Sequence, residues 1–122
     1  MNPLLIKNYA AAGAVTEWRF VTWSTTDGIV RQSAAVADAP VGVARETVAD
    51  GARVDVIRAG IGQITYGAAV TRGQSLTSDA QGRAVPVAAG TDRVYGLAEV
   101  SGVAGDLGEL LLRSEERRVG KE

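Results

Sequence analysis

The sequence predicts an all-β fold: one small sandwich- or barrel-like domain of short strands punctuated by glycine turns, with an extended N-terminal arm. Three observations carry this. Gly or Pro recurs too often from Gly28 onward for a long helix to persist. Short β-branched and aromatic runs alternate with turn dipeptides. The chain also resembles itself at a fixed offset, and glycines fall on glycines.

Taken in order, residues 1–12 precede the first strand signal and form the expected arm, with apolar Leu4, Leu5 and Ile6. Within Tyr9–Val15 an Ala-rich stretch could start a helical turn, which Gly13 weakens. Trp18 to Trp23 reads as a strand, Asp27-Gly28 as its hairpin turn and Ile29–Gln32 as the return. Regular alternation would send Trp18 and Trp23 to opposite faces. Pro40–Arg45 is a short apolar strand. Asp50-Gly51 turns the chain into Arg53–Arg58, whose alternation puts Val54 and Val56 on one face, and Ile61–Tyr66 is expected as a separate strand. Gln74–Ser78 and Arg83–Ala88 flank a turn at 79–82. Val94–Val100 and Leu107–Leu112 complete the set.

Shifted by 54 residues, 28–58 lies on 82–112 without gaps, pairing Gly28 with Gly82, Ala44 with Ala98, Gly42 with Gly96 and Gly51 with Gly105. The expectation is one domain over 13–112, built from similar halves spanning about 13–58 and 67–112. The last ten residues break from this composition, with four basic and three acidic side chains. The string AGA TCG GAA GAG CGT CGT GTA GGG AAA GAG encodes 113–122 in order and resembles a short-read sequencing adapter. That segment is expected to be a disordered scar with no part in the fold.

Composition narrows the function. A formal charge of −1 argues against phosphate-driven nucleic-acid binding and against a polybasic membrane anchor. No apolar run approaches the roughly 20 residues that span a bilayer, and Lys7 and Asn8 interrupt the only stretch resembling a leader. The expectation is a protein neither exported by a cleaved signal nor inserted in a membrane. Without His or Cys, imidazole bases, thiol nucleophiles, disulfides and zinc fingers are excluded.

The remaining chemistry is sparse. Asp27, Asp50 and Asp106 adjoin turn glycines, and Asp79 opens the turn that Gly82 closes, places where Asp bonds nearby backbone. Nothing singles out a catalytic carboxylate pair. Ser33, Ser75 and Ser78 have no local base, and Gly60-Ile61-Gly62 lacks the third glycine of a dinucleotide turn. No calcium loop is present. The expectation is therefore no enzyme, no cofactor and no metal. Core packing is the first reading of Trp18, Phe20 and Trp23; aromatics also enrich at interface centres.

Residues 67–87, then Gly96-Leu97-Ala98-Glu99 and Gly105 to Leu112, resemble the head decoration (capsid cement) proteins of tailed bacteriophages. The shared pattern is turn glycines, Leu76-Thr77 ahead of Asp79, and a Gly-Asp turn into an apolar last strand. The resemblance implies a structural virion protein that binds the outer surface of a phage capsid, often as a homotrimer on the major capsid protein lattice, and is present in the host cytoplasm during assembly. It implies an N-terminal arm that contributes to attachment. Leu4, Leu5, Ile6, Trp18 and Trp23 are the expected capsid or oligomer contacts. Other readings of the residues are a tail or fibre component, a secreted β module, or an unrecognised small hydrolase.

Overall fold

The computed structural model describes residues 5–35, 38–88 and 93–112. The charged segment 113–122 and Leu4 lie outside the described residues. Nine strands are formed among them: β1 (Leu5–Ala11), β2 (Phe20–Trp23), β3 (Ile29–Gln32), β4 (Gly42–Ala44), β5 (Arg53–Thr65), β6 (Ser75–Ser78), β7 (Ala84–Pro86), β8 (Gly96–Ala98) and β9 (Leu107–Leu112). The described residues contain no helix. The all-β expectation holds.

The first five strands close on themselves in the order β1-β3-β2-β4-β5, with β5 returning to β1. The β1–β3 contact is parallel and the others antiparallel. Closure leaves this barrel without a free edge. β5 then continues into a second unit, ordered β5-β9-β8-β6-β7. A parallel bridge from Tyr66 to Ala84 links its two ends. The single 13-residue β5 replaces the two strands expected at Arg53–Arg58 and Ile61–Tyr66. The apparent break is Gly60, whose φ of +99° lets the strand bend from one unit into the next without ending.

The ladders of the two units repeat in register. Val21↔Gln32, Val43↔Ile57 and Lys7↔Val56 in the first match Leu76↔Pro86, Leu97↔Leu111 and Gly62↔Leu110 in the second. The bridge Val15↔Val48 matches Val70↔Gly102. The offset is 55 residues early in each unit and 54 later. The repeat therefore includes β1, whose counterpart is the second half of β5.

Leu5–Ala11 is thus a barrel strand, not an arm or a helical turn. Tyr9 and Ala11 point inward, while Leu5 at the strand's start remains exposed. Its pairing partners lie far away in sequence, so no neighbouring turn announces it.

Inward residues alternate as sheet geometry requires. Tyr9, Ala11, Val15, Val21, Val30, Val41, Ala44, Val54 and Val56 fill the first unit. The equivalent positions in the second are Ile64, Tyr66, Val70, Leu76, Ala84, Tyr95, Ala98, Gly108 and Leu110. Tyr66 replaces Ala11, and Gly108 replaces Val54. A Cβ on Gly108 would collide with the Tyr66 ring, so the small residue makes room for the large one.

Candidate interaction surface

The two units join through outward-facing side chains of the first. Phe20, Val43 and Ile57 point away from their own barrel and enter the core of the second unit, with Ile6 and Trp18 packed alongside. Phe20 stacks on Tyr95 with ring centroids 4.1 Å apart. Tyr95 exchanges a hydrogen bond with Ser33 at 2.8 Å and donates to the Asp38 carbonyl at 3.2 Å. Burial pushes the Tyr95 phenol well above its ordinary pKa, so the group stays protonated in this setting.

Backbone contacts complete the joint. The Phe20 amide donates to the Gly82 carbonyl at 2.7 Å, and Thr65 donates to the Trp18 carbonyl at 2.9 Å. Arg19 and Gln32 both donate to the Gln81 carbonyl, at 2.9 and 3.0 Å. The turn between β6 and β7 thus sits on the outer face of the first barrel.

Trp18 lies outside β2 in a left-handed turn, at φ +58°. Its counterpart in the second unit is Gly73, at φ +93°. A left-handed backbone is costly for a large side chain; packing of the Trp18 ring against the inter-unit core opposes that cost. This placement removes the premise of a regular strand with Trp18 and Trp23 on opposite faces.

Trp23 has a different setting. It is 41% exposed at one end of the first barrel, edge-on to Tyr9 with ring centroids 5.5 Å apart. The Arg58 guanidinium lies over its ring at 5.4 Å and donates to the Tyr9 hydroxyl at 2.9 Å. A cleft of about 380 Å³ adjoins it, lined by Trp23, Ser24, Thr26, Asp27 and Gly28. Leu5 is 59% exposed and pairs with Ala59, next to Arg58 in the chain. Ile6 is half-buried against the inter-unit core. Of the expected contacts that are described, Leu5 and Trp23 therefore present the most apolar surface, while Ile6 and Trp18 are partly taken up internally. Leu111 on β9 is a further exposed apolar residue, which the sequence reading did not single out.

Four of the aspartates are held by backbone amides. Asp79 accepts from the Gln81 and Arg83 amides at 2.9 and 2.8 Å and pairs with the Arg83 side chain at 2.9 Å. Asp106 accepts from the Val103 amide, and Asp50 from that of Gly13. Asp38 accepts from the amides of Ala34 and Ala35 and pairs with Arg31 at 3.3 Å. Burial opposes its ionisation, but the amides and the Arg31 guanidinium outweigh this and hold its carboxyl below the ordinary value. No cluster of three or more metal-ligating side chains is found among the described residues.

A small β protein with paired duplicate units and exposed aromatic and aliphatic residues fits a class that works by surface contact. Residues 6–112 match the phage cement protein family, and the chain belongs to that family. No curated protein matches the sequence. Among solved structures, it is similar to the N base of head fiber gp8.5 of bacteriophage phi29, with 26% identity and a TM-score of 0.72. That likeness covers 91% of this chain and 95% of the other. Together these mark a phage structural protein.

Proposed function

We propose that this protein binds the outer surface of the phage head as a homo-oligomer, a trimer, and stabilises the lattice of the major capsid protein. The family match over residues 6–112 carries the reading. Similarity to a head-fiber base favours the head over the tail as its place of attachment. No chemistry is required of it. A protein that binds the assembled shell in preference to free subunits stabilises the shell by mass action, and many copies on one lattice add avidity.

Leu5, with the preceding Leu4, is the proposed capsid contact. Exposed apolar side chains of this size contribute about 1.5–3 kcal/mol each when fully buried. The strand that presents Leu5 is already ordered, so the ordering cost of about 1–2 kcal/mol per residue applies to fewer residues than in a free arm. Virion location on the head exterior, cytoplasmic assembly and function without nucleic acid or membrane follow from the same reading.

The test is sedimentation of purified protein with expanded heads of the phage that encodes it. Saturable co-sedimentation, together with heads that withstand more heating, is expected. Protein that stays in the supernatant at all concentrations contradicts the proposal. Leu5→Asp should weaken binding while leaving the fold intact.

A further inference from the structure

The duplicated ladder makes the joint between the two units a template for a second contact of the same kind. In the first unit, the row Ile6, Ile57, Val43 and Phe20 faces outward and is covered by the second unit. The same row in the second unit is Ile61, Leu111, Leu97 and Ser75, linked by the same ladder pairings. There Leu111 is 37% exposed, and Ile61, Leu97 and Ser75 are only half-buried.

The complementary element is also duplicated. The turn at Gln81-Gly82 seats on the first unit's row. Its counterpart is Asp27-Gly28, which is exposed and lines the cleft beside Trp23. Among the described residues, one chain thus carries a more exposed copy of the row, centred on Leu97 and Leu111, at one end and an exposed copy of the turn at the other. The two belong to the same kind of contact that already holds its halves together.

We propose that chains associate head to tail. The β8–β9 face around Leu97 and Leu111 of one copy receives the β2–β3 turn and Trp23 of the next. By equivalence with Arg19 and Gln81, Gln74 of one copy lies beside Asp27 of its neighbour. The contact joins two different surfaces, so it is heterologous and forms a ring when its rotation closes. It gives surfaces to the oligomer named above, but its test needs no capsid, so either reading can fail alone.

The chain has no cysteine, so single engineered thiols report the contact cleanly. Asp27→Cys and Gln74→Cys proteins are purified separately, mixed, and treated with a short bis-maleimide. A covalent dimer is expected in the mixture and in neither protein alone. It should vanish when the Gln74→Cys chain also carries Leu111→Arg. A dimer from Gln74→Cys alone would mean that the face pairs with itself, and no dimer in the mixture would mean that the surfaces do not meet; either overturns the proposal. Sedimentation gives an independent reading. The unmodified chain should sediment as an oligomer, and Leu111→Arg as a smaller species with an unchanged denaturant midpoint. A monomeric unmodified chain contradicts the inference.

Discussion

Phe20 and Ser75 occupy the same place in the two units, yet Phe20 is fully buried and Ser75 only half-buried. Ile57 and Leu111 form a second such pair, at 3% and 37% exposure. The backbone ladders around them match in register. The difference lies in what covers them: the first unit's outer face plugs the second, while the second's outer face is more exposed among the described residues. A side chain's role here is set by the position of its unit in the chain as much as by its position in the barrel. The interiors diverge as well. The first is filled by Val and Ala around Tyr9, whereas the second admits Tyr66 and Tyr95 and draws Phe20 in from its neighbour.

Substitutions at paired positions sharpen this comparison. The largest contrast is expected at Phe20. Phe20→Ala removes a ring stacked on Tyr95 and should cost about 3–5 kcal/mol, whereas Ser75→Ala should change stability by less than about 0.5 kcal/mol. Denaturant midpoints measure both. Equal costs would show that the two faces are not used differently.

Interior exchange comes next. Gly108→Val should cost about 1–3 kcal/mol through overpacking against Tyr66. Adding Tyr66→Ala copies the first unit's Ala11 and Val54 pair and should recover part of that loss. The recovery is incomplete because the Tyr66 hydroxyl donates to the Val100 carbonyl at 2.6 Å. A double variant no better than the sum of the singles would refute the volume exchange.

Gly51 and Gly105 probe the backbone equivalence. Both are left-handed, at φ +83° and +92°, and a Cβ on either meets nothing within 4 Å. Replacement by Ala should therefore cost the same at each, roughly 1–2 kcal/mol of backbone strain. Unequal midpoints would break the match between the turns.

The smallest effects concern pH. Asp38 has a folded-state pKa below its ordinary 3.8, so its contribution is full above that value and is lost as pH falls through the lowered one. The partner Arg31 is 42% exposed, so Asp38→Asn should lose about 1 kcal/mol or less through the ion pair, and the gap between variant and parent should close in acid. Tyr95 has the opposite sign of shift. Its folded-state value is raised above 10.0, so stability is full below that pH and declines as pH rises beyond it. Tyr95→Phe should flatten the alkaline decline, as read from denaturant midpoints across that range.

Much of this fold is legible in the residues. Ile29–Gln32 and Leu107–Leu112 form strands with the expected bounds, because turn dipeptides and alternation mark them locally. The expected strands around β2, β4, β6, β7 and β8 are present but shorter. β1 escaped because its stabilising partners are β3 and β5, distant in sequence. The continuity of β5 was hidden by Gly60, which reads as a break in sequence and acts as a bend in space. Among the candidate contacts, composition could flag Trp18 and Trp23 as aromatic. It could not show that one packs on the joint while the other stands beside an open cleft. Leu111 looked like any core residue of a terminal strand; only comparison with buried Ile57 gives its exposure a meaning.

The most direct measurement is cryo-electron microscopy of expanded heads, prepared without this protein and then saturated with it. The expected result is discrete added density on the outer surface, at repeated lattice positions and fitted by a closed group of two-unit chains. Outer surfaces indistinguishable from undecorated heads, or added density confined to the tail, would contradict head binding.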